Sequence, residues 1–504
     1  MDYNKLKILK SGSDIRGIAS RLTTNITLTD EAVYCIIRAF CIWYRQKYSQ
    51  NACSVAVGHD VRISADRILK QVIRALTDEG INAVDCGLCS TPSMFMLLKS
   101  SFGCDASVMI TASHLPADRN GLKFFTPDGG LDGDDIDKII EIAALENFDK
   151  IAKERGAVNS RTFLTDYCAM LVSKVRSACG EQTPLADKKI IVDAGNGAGG
   201  FFCNMVLQPL GADTNGSIFL EPDGTFPNHI PNPENKQAMA YLKEAVLREH
   251  ADLGIIFDTD VDRAGAVDSD GLEINRNRLI ALAATMVLDC RGGTIVTDSV
   301  TSSGLTKFIE EHGGRHLRFK RGYKNVIDEA VRRNQAGEYC PLAIETSGHA
   351  AFADNYFLDD GAYLVTRILI CLAKQTKKKQ KLGELIKDLE SPIEENEIRV
   401  CFKGKAENFG EEAEKIIEDV RQKSVHNNLD VATDNYEGVK VSFGKGDGNG
   451  WFLLRMSVHD PVMPINFESN LPGGNRIIAS KLFEMLKDYP SLDTSNLLKF
   501  IQNT

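Results

Sequence analysis

Five stretches of the chain are almost continuously apolar, and each runs straight into a short polar loop: SVAVGHD (54–60), ASVMITAS (106–113), KIIVDAGNG (189–197), LGIIFDTD (253–260) and GTIVTDS (293–299). A strand with one wet face alternates apolar and polar residues, whereas a strand covered on both faces does not. These runs therefore predict strands sandwiched between helices. Helical patterns such as PENKQAMAYLKEAVLREH (233–250) follow and alternate with them, so the expected units are β-α-β and the sheets parallel or mixed. In open sheets of this kind ligands gather beyond the carboxyl ends of the strands. The polar loops lie at those ends.

The last quarter has another texture. VKVSFGKGDGNGWFLLRMSVHDPVMPINFES (439–469) reads as strand, Gly-rich turn and strand, flanked by the helical NFGEEAEKIIEDVRQ (408–422). That predicts an α+β domain with an antiparallel sheet. At 504 residues the chain is too long for one core. We expect three consecutive mixed-sheet α/β domains, 1–155, 156–270 and 271–390, followed by a smaller α+β domain over 391–504.

Composition narrows the function. Hydrophobic and charged contents of 43% and 25% are those of an ordinary globular chain. A net charge of −10 opposes binding to nucleic acid or an anionic membrane, while leaving room for a local phosphate pocket. The N-terminus lacks a secretory pattern, and LIALAATMVL (279–288) is too short to span a bilayer. Thirteen scattered cysteines, an odd number, fit a reducing cytoplasm better than a disulfide framework. The pair Cys86 and Cys89 has no second pair to complete a zinc site. The run KQTKKKQK (374–381) reads as a helix end or linker, or else as an anion patch.

Two loops carry chemistry. TASHLPADRNGLKFF (111–125) collects the hydroxyl of Ser113, the imidazole of His114 and the ammonium of Lys123 within eleven residues. DTDVDR (258–263) sets three aspartates at a strand end. Carboxylates about 4 Å apart repel by ~4 kcal/mol at an effective dielectric of about 20. Unless the three are simply solvated, such a loop needs a cation or protonation, and its oxygen donors suit Mg²⁺ or a similar hard ion. An EF-hand is excluded, because Arg263 and Ser269 occupy its Gly and Glu positions. An apolar strand ending in D-x-D also resembles the nucleophile motif of haloacid-dehalogenase-type phosphatases. Asp258 would then be phosphorylated, and the TASH loop would have no role. GNGAGG (195–200) satisfies a dinucleotide fingerprint, with Glu221 downstream. Asp193, however, would crowd a pyrophosphate, and close packing of a strand–helix turn accounts for the glycines.

Together the loops resemble those of the α-D-phosphohexomutases. TASHLP and NGLK are similar to that family's phosphoserine loop, T-A-S-H-N-P and N-G-x-K. DTDVDR is similar to its metal loop, D-G-D-x-D-R, and Glu345-Thr346-Ser347-Gly348-His349 to its sugar loop, G-E-x-S-G-H. Asp14-Ile15-Arg16-Gly17, PDGTFPNHIPNPE (222–234) and DDGAY (359–363) fit in the same order. The resemblance covers nearly the whole chain and implies four domains around a central cleft.

It implies a metal-dependent mutase that interconverts hexose 1- and 6-phosphates, of glucose, mannose or both. Phospho-Ser113, a hexose 1,6-bisphosphate intermediate that also serves as activator, and Mg²⁺ held by Ser113, Asp258, Asp260 and Asp262 belong to that expectation. Lys123 would be the general base or acid, helped by apolar neighbours that disfavour its charged form. Arg16 and Arg263 would face the reacting phosphate, with His114 and His349 in matching loops. Tyr323, Lys324, Glu345 and Ser347 would meet the sugar, and Arg455, Ser457 and His459 the distal phosphate. The expected partners are sugar phosphates alone, with no nucleic acid and no membrane, for a cytoplasmic monomer or homodimer.

The chain departs from the family in places. Arg455-Met456-Ser457-Val458-His459-Asp460-Pro461 replaces R-x-S-[NG]-T-[ED]-P, and Pro464 and Asn466 stand where arginines are common. His459 would make a less basic clamp pH-sensitive. Tyr323 replaces a frequent His, and Thr346 matches neither the Met of the mannose/glucose enzymes nor the Gln of the glucosamine enzymes. Phosphoglucosamine is therefore the alternative substrate. A haloacid-type phosphatase and a non-catalytic sugar-phosphate-binding protein are the alternatives of other classes.

Overall fold

The computed structural model describes residues 2–20, 25–145, 148, 150–288, 291–403, 409–457 and 461–503. The chain forms two compact units, Met1–Met286 with Ser347–Lys387, and Val287–Thr346 with Asp388–Thr504.

In the first unit the leading sheet runs Lys10–Ser11, Asp14–Ile18, Arg119–Thr126, Ala106–Ile110, Ser54–His59, Asn82–Leu88 and Val158–Ser160 in spatial order. Ala106–Ile110 lies parallel to Ser54–His59 and antiparallel to Arg119–Thr126. Its Val108 and Ile110 share a core with Ile36, Phe40, Ile68 and Ile139 of the helices Asp30–Tyr48, Ala65–Asp78 and Gly133–Leu145. On its other face Ser107 Oγ donates to the Met94 carbonyl of helix Thr91–Met96 at 2.6 Å. Both faces are covered, which is why ASVMI is apolar apart from Ser107, whose hydroxyl is hydrogen-bonded.

The second sheet is Glu273–Ile274, Ala264–Asp268, Leu253–Phe257 and Ile190–Asp193. Helix Lys236–Glu249 closes it, packing Leu242 and Val246 with Ile191, Ile256 and Val267. Helices are expected to alternate with the apolar runs in parallel or mixed sheets, and two runs lead instead into strands. Ala106–Ile110 and Leu253–Phe257 each turn back into an antiparallel strand, Arg119–Thr126 and Ala264–Asp268. The returning segments LKFF and AGAV are buried along their length, with Lys123 the one charged residue in them. The TASH and DTDVDR loops are consequently tied down at both ends by sheet.

Helix Gly361–Lys377 is capped by Asp360 and carries Lys374 and Lys377 in its last turn, the end where the helix dipole favours cations. Lys377 pairs with Glu181 and Lys381 with Asp270. The lysine run thus finishes a helix with acidic partners of its own. Among the described residues no helix is long and apolar enough to cross a membrane.

The second unit holds the parallel strands Gly314–Arg318, Gly293–Thr297 and Leu342–Ile344. It also holds a C-terminal antiparallel sheet in the order Asp430–Val431, Val439–Phe443, Gly450–Leu454, Val462–Ser469, Glu394–Phe402 and Leu492–Asp493. Here the period is two. Val439, Val441, Phe452, Leu454, Met463 and Ile465 pack under Ile416, Ile478 and Leu497 of three helices, while Trp451 and Leu453 turn to the opposite face and meet Val300. The chain is an α/β protein with an antiparallel sheet at its C-terminal end, as the sequence leads one to expect.

Candidate active site

Ser113 stands just beyond strand Ala106–Ile110 with φ of 51°, a left-handed conformation that costs a non-glycine residue about 1–3 kcal/mol. The loop around it is fixed strongly enough to hold that strain. The Ser113 amide donates to Thr111 Oγ1 at 2.9 Å. Arg62, fully buried, donates to the carbonyls of Ser113, Leu115, Pro116 and Arg119 at 2.5, 2.7, 2.7 and 2.9 Å. Asp60 anchors the same guanidinium at 3.1 Å. Gly121 makes room for this arrangement, because a Cβ there would sit 2.3 Å from the Ile15 carbonyl and 2.7 Å from that of Thr111.

The Ser113 hydroxyl donates to Asp258 Oδ2 at 3.0 Å and accepts from Arg263 Nη2 at 3.0 Å. Arg263 also donates to Asp258 Oδ2 at 3.2 Å and contacts His114 Nδ1. His114 Nδ1 lies 3.3 Å from Ser113 Oγ. Burial first, then Arg263, Arg16 and His349, hold the His114 imidazole down to about 2, so the ring is neutral. Arg16 is itself paired with Asp14 at 2.8 Å.

The acidic loop is not solvated. Asp258, Asp260 and Asp262 are all fully buried, and ligand oxygens of the three lie within 4.8 Å of one another. Burial, reinforced by Asp262 and Asp260, raises the Asp258 carboxyl well above the usual range. Burial and Asp262 raise Asp260 as well. Asp262 goes the other way: Lys123, His349 and Arg263 outweigh its burial and lower it. Asp260 Oδ1 and Asp262 Oδ1 are buried with no hydrogen-bond partner among the described residues, a costly state for ionised oxygens. A hard cation is what such oxygens fit, and the three aspartates can hold a metal ion.

Lys123 differs from expectation. Although Leu122 and Phe124 flank it in the chain, the strand turns them to the opposite face. The ammonium lies 2.5 Å from Asp262 Oδ2 and 3.7 Å from Asp260 Oδ2, so its charge is compensated by carboxylates. On the same side of the loop, His349 Nδ1 meets Asp359 Oδ2 at 2.5 Å and lies 4.0 Å from Asp262 Oδ1. Gly348, at φ of 95°, lets this segment close on Ala264, whose carbonyl would be 2.7 Å from a Cβ. Ser347 is buried in this first unit.

In the second unit Glu345 Oε1 accepts from the Gly322 amide at 2.6 Å. Tyr323 and Lys324 open helix Tyr323–Gln335, and Lys324 pairs with Asp328 at 2.5 Å. Thr346 Oγ1 donates to the buried Asp298 at 2.6 Å. Arg455 and Ser457 follow strand Gly450–Leu454, their amides bonded to the carbonyls of Pro464 and Val462 at 3.1 Å each. His459, together with Val458 and Asp460, lies outside the described residues.

Several residues of the first unit escaped the sequence reading. Arg62 and Asp60 fix the serine loop, and Thr91 donates to Asp260 Oδ2 at 2.5 Å. The only signal was position, since GHDVR and CSTP follow strands on the same sheet. The glycines of GNGAGG serve packing. Gly197 would put a Cβ 2.9 Å from Thr259 of the acidic loop, and Asp193 holds His229 at 3.0 Å.

Residues 7–150, 165–271 and 275–392 match family models described as phosphoglucomutase/phosphomannomutase, alpha/beta/alpha domains I, II and III. The chain is 30% identical over 483 residues to the phosphoglucomutase of Neisseria gonorrhoeae, covering 95% of this chain and 96% of that one. It is 32% identical over 461 residues to the phosphomannomutase/phosphoglucomutase of Pseudomonas putida, covering 91% and 90%. A crystal structure of a phosphoglucomutase/phosphomannomutase family protein from Burkholderia thailandensis matches with a TM-score of 0.77 at 26% identity, over 97% of this chain and 99% of that one.

Proposed function

Because the chain belongs to the phosphoglucomutase/phosphomannomutase family, we propose that it interconverts the 1- and 6-phosphates of glucose and mannose by passing a phosphoryl group through Ser113. It is an isomerase of that family's type. The observation that carries the mechanism is the Ser113 hydroxyl, held between Asp258 and Arg263 beside a buried three-carboxylate cluster.

In this reading phospho-Ser113 meets a hexose 1-phosphate. The bond from phosphorus to Ser113 Oγ breaks as a bond to the sugar's 6-oxygen forms, and the hydroxyl proton passes to Lys123 as Lys123 hands its own proton to one of its carboxylate partners, Asp260 or Asp262. The resulting 1,6-bisphosphate turns over, and its 1-phosphate is returned to Ser113 by the reverse of the same step. Arg263 and Arg16 stabilise charge on the moving group. A Mg²⁺ ion held by Asp258, Asp260, Asp262 and the phosphorylated serine would add positive charge to the phosphoryl oxygens.

His114, neutral, serves as a hydrogen-bond partner and does not shuttle protons. Glu345 and Ser347 hold sugar hydroxyls, and Tyr323 and Lys324 are further sugar-binding residues. Arg455, Ser457 and His459 take the phosphate that is not reacting. A four-domain division near 155, 270 and 390 belongs to the same reading.

Phosphorus NMR of the protein with glucose 1-phosphate or mannose 1-phosphate, Mg²⁺ and a trace of glucose 1,6-bisphosphate tests it. The 1- and 6-phosphate signals should equilibrate with no growth of inorganic phosphate. Steady release of inorganic phosphate would instead mark a phosphatase, and glucosamine 1-phosphate turning over fastest would move the substrate to the amino sugar.

A further inference from the structure

The distal clamp inferred from sequence has one arginine, Arg455, where related clamps are richer in cations. Its surroundings contain a second. Arg455 is 6% exposed, and its buried Nε has no hydrogen-bond partner among the described residues. Its terminal nitrogens lie 3.9 Å from Glu397 Oε2 and 4.0 Å from Glu437 Oε1. Those are ion-pair separations, longer than hydrogen bonds.

Arg321, just before helix Tyr323–Gln335, brings Nη1 to 3.7 Å from the same Glu397 Oε2. Its amide donates to Glu437 Oε2 at 3.1 Å. Asn466, one of the positions lacking an arginine, donates to Glu397 Oε2 at 3.3 Å. Two guanidiniums and an amide therefore converge on one carboxylate oxygen. Burial first, and Arg321 among the further causes, lower the Arg455 guanidinium, as a nearby like charge must.

Two guanidinium forks 3.7 and 3.9 Å from one carboxylate oxygen present a donor set that matches a phosphate dianion. Phosphate offers three acceptor oxygens, and each fork can engage two. We propose that Arg321 is a phosphate-binding residue of the same clamp as Arg455, supplying from the neighbouring segment the cation that Pro464 and Asn466 do not. The inference rests on the mutase reading, in which one phosphate of the substrate stays bound while the other reacts.

The test is calorimetric binding of glucose 6-phosphate, together with turnover of glucose 1-phosphate, for wild type, Arg321→Ala and Arg321→Lys. Arg321→Ala should weaken binding and raise KM by about 10- to 100-fold, the usual loss for a charged hydrogen bond, with kcat changed far less. Arg321→Lys keeps the charge but not the fork and should fall between. It also serves if the alanine variant does not fold. Wild-type binding and KM in both variants would overturn the proposal, as would a loss confined to kcat. If binding depends on Arg321 but the wild type isomerises no hexose phosphate, the clamp stands and the mutase reading falls.

Discussion

Replacing Ser113 by alanine removes one oxygen that makes two hydrogen bonds, to Asp258 and from Arg263. If that oxygen carries the phosphoryl group, Ser113→Ala should lose at least about 10³-fold in kcat while still binding glucose 6-phosphate. Intact mass after incubation with glucose 1,6-bisphosphate should show one added phosphate in the wild type and none in the variant. Labelling that persists in Ser113→Ala would move the nucleophile elsewhere, with Asp258 the first candidate. This residue was legible because its loop is local: a hydroxyl, an imidazole and an ammonium within a few positions of a strand end. Arg62 was not. It acts across the sheet on carbonyl oxygens, and no pattern in its own segment announces which loop it will hold. Lys123 shows the converse limit, since its chain neighbours are apolar while its spatial neighbours are Asp260 and Asp262.

At the scale of elements, the strands were readable from unbroken apolar runs, but the type of the next element was not. Whether a covered strand continues into a helix or returns as another strand depends on which face remains to be closed, and neighbouring runs look alike in sequence. The return over Arg119–Thr126 depends on Gly121. Gly121→Ala would drive a methyl against two backbone carbonyls. It should cost about 3 kcal/mol, at the upper end for overpacking, and lower Ser113 labelling with it. Urea melts and the mass assay check both; an unchanged midpoint would mean that the strands can separate freely. Helix Gly361–Lys377 offers a second test. Its cap, Asp360, accepts from Tyr167 Oη at 2.7 Å and the Tyr363 amide at 2.8 Å, yet burial still raises its carboxyl to about 6. The folded state therefore keeps a proton that the unfolded state loses near pH 4. Stability from this group is greatest below pH about 4 and falls as pH rises to about 6, by roughly 3 kcal/mol in all. Asp360→Asn should flatten that part of the pH–stability curve, and parallel curves for the two proteins would refute it.

For the molecule as a whole, the residues proposed for the reaction fall in two compact units of the chain. Ser113, Lys123, the three aspartates and His349 belong to the first, and Glu345, Arg321 and Arg455 to the second. No local pattern reveals that Ser347–Lys387 packs with the first unit; part of the reason is that a Cβ on Gly361 would lie 2.6 Å from the Arg263 backbone. Metal binding tests where the cation acts. In the metal-free protein, burial and like charges oppose ionisation of Asp258 and Asp260, so an ion that pairs with them stabilises the folded protein. At a concentration one hundred times its dissociation constant, Mg²⁺ contributes about 2.7 kcal/mol, a rise of a few degrees in Tm for a body of this size. Scanning calorimetry should resolve it as a rise in Tm, reversed by EDTA. Asp260→Asn removes one of the repelling charges. It should raise the metal-free Tm slightly and abolish most of the Mg²⁺ increment. A full Mg²⁺ shift in Asp260→Asn would place the cation outside the DTDVDR loop.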